Sequence, residues 1–171
     1  IKAVSTADFT GVINREREAG RYDHILVDLM GSREATMLKA LARADLVVIP
    51  AQTSEPDLRE ALVIVSDVKD VSETRGAPIP FRLLLTKLYP LRTKVTDFAY
   101  GELQHLKLPY FKTALIERTA YREMFLTGIP ASQIEQGRGA GSEIDALIRE
   151  IKSILQDKAP GARAKREGAL A

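Results

Sequence analysis

The feature that most constrains this chain is an alternation of short, almost wholly apolar runs with stretches that carry helical spacing. The runs are His24-Ile25-Leu26-Val27-Asp28, Leu46-Val47-Val48-Ile49 closed by Pro50, Phe81-Arg82-Leu83-Leu84-Leu85, and a weaker Tyr110-Phe111-Lys112. Ile1-Lys2-Ala3-Val4 is a further candidate. A strand with one wet face alternates apolar and polar residues, whereas a strand covered on both faces is apolar throughout. Runs of the second kind separated by helices predict an α/β fold, a doubly wound and mostly parallel sheet flanked by helices.

The intervening helices have legible starts and stops. Asp8 is placed to cap a helix that ends at Gly20, and Ser32 to cap one that carries Ala35, Leu38 and Leu41. Pro56 suits the first turn of a long helix with Leu58, Leu62, Val65 and Val68 on one face, finishing near Gly76. Two more helices are expected over 93–106 and 119–126. A last amphipathic helix opens at Ser142-Glu143 and carries Ile144, Leu147, Ile148, Ile151, Ile154 and Leu155. Gly137-Arg138-Gly139-Ala140-Gly141 reads as a mobile loop. The expected organisation is one α/β domain over 1–157 and a disordered basic tail over 158–171.

Composition narrows the chemistry. The chain has 171 residues and is 45% hydrophobic, enough for one packed core. Lys and Arg number 25 against 23 Asp and Glu, a net charge of +2, so any nucleic-acid site must be a local basic patch. With no Cys and only His24 and His105, disulfides, thiolate zinc sites and thiol nucleophiles are excluded, and a reducing, cytoplasmic setting fits. No apolar run approaches the length of a membrane span, and the segment after the last helix, Ala159-Pro160-Gly161-Ala162-Arg163, has no bulky apolar face; no membrane attachment is expected.

Asp28 is the leading chemical candidate. An acidic residue at the carboxyl end of a buried parallel strand lies where open α/β sheets bind ligands, and in nucleotide hydrolases it orients magnesium or its water. Gly31, just beyond it, allows close approach of the backbone to a phosphate or a partner.

The ordered segments resemble the ParA/MinD group of deviant P-loop ATPases, and within it the VirC1-like branch. Tyr22-Asp23 before a strand, Asp28 at its end, Ala44-Asp45-Leu46-Val47-Val48-Ile49-Pro50, and Asp57-Leu58 opening a long helix are similar to that group's middle section. Leu84-Leu85-Thr86-Lys87 is similar to its strand bordering the base pocket. Phe111-Lys112-Thr113-Ala114-Leu115-Ile116-Glu117-Arg118, then Phe125 and Gly128-Ile129-Pro130, are similar to its closing section. The likeness runs over about 22–155.

The resemblance implies an ATPase that positions DNA or a DNA-transfer complex, in plasmid partition or conjugative transfer, through an ATP-dependent homodimer. It implies ATP and Mg2+ as cofactors, and as partners nonspecific DNA and a centromere-binding, relaxase or coupling protein. It also implies a nucleoid- or pole-associated place in a bacterial cytoplasm. Asp28 would take the magnesium side, Gly31 and Ser32 would lie near phosphate or the partner, and Thr86, Ile116 and Glu117 would border adenine. DNA contacts in this group are made by exposed basic side chains, which selects Arg92, Lys94, Arg118 and Arg122 ahead of Arg138, Lys152 and the tail residues Arg163, Lys165 and Arg166.

One element of such a site is missing from the sequence. No Gly-x-x-x-x-Gly-Lys-Ser/Thr phosphate loop occurs, and Gly137 to Ser142 lacks the Lys and follows no apolar strand. The reading therefore expects the N-terminal strand-helix unit with that loop to lie upstream of Ile1, and no ATPase activity from these residues alone. The alternative is a nucleotide-free adaptor that binds DNA or a conjugation protein without hydrolysis.

Overall fold

The computed structural model describes residues 4, 5, 7–29, 35–134 and 138–157. Its elements, in chain order, are α1 (Phe9–Ala19), α2 (Ala35–Leu41), β1 (Val47–Ala51), α3 (Glu55–Arg75), β2 (Phe81–Leu85), α4 (Lys94–His105), α5 (Thr119–Thr127) and α6 (Arg138–Gln156), with a short 3-10 turn at Ala131–Gln133. The chain folds as two compact units. The first comprises residues up to 47 together with 65–80, and the second 48–64 with the remainder from 81 on.

In the first unit α1 buries Phe9 and Val12 and is closed by Gly20 in the left-handed conformation at φ 58°. It packs on α2, which buries Met37 and Leu41. Arg17 pairs with Asp45 at 2.5 Å, and the Arg75 guanidinium donates to the Ala44 carbonyl. The Val47 N–H donates to the Pro80 carbonyl at 2.8 Å, which begins the strand pairing.

The second unit holds the sheet. β1 and β2 are hydrogen-bonded neighbours connected through α3, a parallel pair that requires a crossover helix. Ser54 caps α3 by accepting the Asp57 N–H, and Thr93 caps α4 by accepting the Thr96 N–H at 3.2 Å. β2 is the most deeply buried strand, with Leu83, Leu84 and Leu85 all inside.

Beyond β2 runs an extended segment bridged at Tyr110 with Leu83 of β2 and at Ile116 with Leu88, three residues past the end of β2, both parallel. The Phe111 N–H donates to the Leu83 carbonyl and the Leu115 N–H to the Leu85 carbonyl, so four residues on this side span two of β2 and the ladder breaks at a bulge. The bulge frees the N–H groups of Lys112 and Thr113, and Glu150 of α6 accepts both, at 2.9 and 2.7 Å. A side-chain carboxylate thereby replaces the missing strand neighbour.

The expected doubly wound, multi-stranded sheet is therefore corrected. Among the described residues the sheet has two strands, and the run His24 to Asp28 is an exposed, irregular segment outside it, with Leu26 95% exposed. No neighbouring strand among the described residues supplies its hydrogen-bond ladder, so an apolar run remains coil. The fourth expected strand, Tyr110 to Lys112, is reduced to a bridge by the bulge. Of Ile1 to Val4, residues 1–3 lie outside the described residues, as do the expected cap Ser32 and the tail 158–171.

The glycine-rich stretch after residue 137 is also corrected, because α6 already includes residues 138–141. The small residues serve close packing here. A Cβ on Gly141 would stand 3.2 Å from the Ser132 backbone, and one on Gly139 would stand 2.6 Å from the Arg118 guanidinium carbon. Ala140 between them is fully buried in a small cluster with Ala120 and Ala131, against which Tyr121 and Met124 pack. Gly137 lies outside the described residues.

Candidate functional site

The carboxyl end of β2 gathers residues that lie about thirty positions apart in the chain. Thr86 continues from β2, its N–H donating to the Ala51 carbonyl at 2.9 Å and its hydroxyl to the same oxygen at 3.3 Å. Lys87 then turns the backbone through φ 53°, an uncommon conformation for a residue with a Cβ. Leu88 follows, buried, with its N–H on the Leu115 carbonyl and its carbonyl receiving the Glu117 N–H at 2.8 Å. Thr86, Ile116 and Glu117 are thus brought onto one edge. Thr86 and Ile116 are half-buried, while the Glu117 carboxylate is exposed and has no polar partner among the described residues.

This edge is held from behind by Glu143 of α6. Its carboxylate accepts the Ile116 N–H at 3.1 Å, two Arg118 guanidinium donors at 2.8 and 2.6 Å, and the Tyr121 hydroxyl at 3.0 Å. Glu143 is only 12% exposed and Arg118 36%, so this is a partly desolvated, charge-assisted network rather than a surface ion pair. The hydrogen bond to Glu143 raises the Arg118 pKa. Burial first, and then the same carboxylate, raises the Tyr121 phenol well above its ordinary value. Two turns further along α6, Glu150 holds the 112–113 bulge and also accepts the Thr113 hydroxyl at 2.5 Å.

Glu143 and Glu150 are the site residues that sequence reading missed. They are seven apart and bracket the buried Leu147, so they share the inward stripe of an otherwise apolar face. Acidic residues in register with a buried leucine were the available signal.

The basic candidates divide. Arg118 is engaged with Glu143, and Arg92 pairs with Asp97 at 2.5 Å while staying largely exposed. Lys94, at the start of α4, and Arg122, on α5, are exposed, as is Lys152 on α6. Asp28 ends the exposed coil of the first unit, and Gly31 and Ser32 lie outside the described residues.

Chemically, the β2 edge offers the half-buried Ile116 beside one exposed acceptor, Glu117, while the Leu88 side chain is buried. The Ile116 and Glu117 N–H groups are already used. Among the described residues no three His, Asp or Glu side chains gather to hold a metal ion, and a lone exposed Asp28 is not a magnesium cage. No helix among the described residues is long and apolar enough to cross a membrane. Comparison with models of known protein families and with curated proteins finds no match to this chain.

Proposed function

We propose that this chain is the base-side and DNA-side portion of an ATP-dependent switch that positions DNA or a DNA-transfer complex, of the ParA/VirC1 kind. The observation that carries the reading is the convergence of Thr86, Ile116 and Glu117 at the carboxyl end of a parallel strand. The resemblance assigns these three residues to the adenine border, and strand ends of this type are where α/β sheets bind ligands. In this reading the edge flanks adenine. Arg92, Lys94 and Arg122 meet DNA phosphates, and Arg118 does so only at its outer edge, because Glu143 already takes two of its donors.

The test is made on the protein produced from its complete reading frame. ATP with Mg2+ is expected to drive dimerisation and retention of nonspecific duplex DNA, and chelation of the metal to reverse both. Reversing Arg92, Lys94 and Arg122 together to Glu should weaken DNA binding for every sequence alike and lower the slope of log affinity against log salt by about one per residue removed. DNA binding that is indifferent to nucleotide would favour the adaptor reading; no DNA binding at low salt would remove the DNA role.

A further inference from the structure

The second unit carries an apolar groove and an apolar tip on different surfaces. The groove, of about 270 Å3, lies between the first half of α3 and α4 and is lined by Leu58, Leu62, Phe98, Leu103, Leu106 and Glu102 among others. Phe98 and Leu106 are substantially exposed there. The tip is the end of α5. The inward side of that helix, Ala120, Tyr121 and Met124, packs against the Ala131 and Ala140 cluster, which turns Phe125 and Leu126 outward, 85% and 86% exposed. After Thr127, Gly128 stops the helix in the left-handed conformation, and Ile129, also exposed, extends the patch. Two large neighbouring side chains held this far into water on a capped helix end are an unusual cost for a surface with no partner.

We infer that the Phe125–Leu126 tip of one copy docks in the α3–α4 groove of a second copy, a head-to-tail contact. Size and charge both support a second copy as the occupant. A cavity of roughly 150 Å3 takes up a benzene ring, so this one has room for the Phe125 ring with Leu126 beside it. Glu102 lies one helical turn from both Phe98 and Leu106, and its carboxylate has no polar partner among the described residues. Arg122 lies one turn before Phe125 and Leu126 and is likewise exposed and unpaired. The groove's other charges, Glu55 and Arg59, pair with each other, so the charge it offers a partner is the Glu102 carboxylate, and the tip carries the Arg122 cation one turn from its apolar pair. Because tip and groove are different patches, the contact is heterologous: each copy keeps a free groove and a free tip, and association proceeds to open chains or closed rings. It does not depend on nucleotide, and it occupies Arg122.

The experiment is sedimentation of the protein produced from its complete reading frame, without nucleotide or nucleic acid, over a broad concentration range, with circular dichroism confirming that each variant is folded. The wild type should associate progressively beyond a dimer. Leu126→Asp should abolish association, and Arg122→Glu or Glu102→Arg should each weaken it about tenfold or more, with the double charge swap restoring it. Mixing Leu126→Asp, whose groove is intact, with Glu102→Arg/Leu62→Asp, whose tip is intact, should give a one-to-one complex that grows no further. A wild type that stays monomeric, association that survives Leu126→Asp, or a mixture that fails to pair would overturn the proposal. So would tight binding of a basic amphipathic Leu/Lys peptide in the groove of a chain that does not self-associate, which would assign the groove to another protein.

Discussion

Glu143 does more for the second unit than any other single side chain described. It satisfies one backbone N–H, two guanidinium donors and a phenol at once, so removing it strands several groups in a partly buried place. Glu143→Ala should cost about 3 kcal/mol of unfolding free energy, whereas Glu143→Gln, which keeps an acceptor, should cost about 1 kcal/mol. Denaturant titration measures both, and equal costs would mean that the carboxylate charge is irrelevant. Tyr121 gives a second test. Its phenol is raised in the folded state, by burial first and Glu143 second, so its neutral form contributes stability that is fully present below about pH 10. Above that pH the unfolded chain ionises while the folded one does not, and stability falls as pH rises. Tyr121→Phe should flatten this alkaline decline, measured as the unfolding midpoint between about pH 9 and 11.

At the scale of elements, close packing sets what glycines can become. Gly101 lies within α4 with open space where a Cβ would go, so Gly101→Ala should stabilise by about 0.5–1 kcal/mol. Gly141 faces the Ser132 backbone, so Gly141→Val should destabilise by about 1–3 kcal/mol by forcing α6 off the 3-10 turn. Thermal melts of the two variants should move in opposite directions. The helices were legible because caps and periodicity are local: Gly20 ends α1 as expected and Thr93 opens α4, while Ser54 and Gly128, unread in the sequence, also cap by chain-local chemistry. The strands were legible only where a partner exists. Leu46 to Ile49 and Phe81 to Leu85 pair, while His24 to Asp28, equally apolar, has no ladder among the described residues and stays coil. No local signal marks the bulge at 112–113, because it depends on a carboxylate 37 residues away.

On the scale of the whole molecule, the three residues that the resemblance assigns to the adenine border lie in the second unit. Thr86, Ile116 and Glu117 share the end of β2, and α6 fixes that edge through Glu143 and Glu150. The basic surface was only partly legible, because sequence shows where Arg118 stands but not that a glutamate 25 residues on takes its guanidinium. The proposed role makes the β2 edge a base-side contact, so a charge introduced there should weaken nucleotide binding while leaving the fold intact. The most direct measurement is calorimetric titration of ATP with Mg2+ into the protein from its complete reading frame, wild type against Ile116→Arg. The account predicts magnesium-dependent binding by the wild type, weakened at least tenfold by the substitution, with inorganic triphosphate bound equally by both. Absence of magnesium-dependent ATP binding by the wild type, or equal affinity in the two proteins, would contradict it.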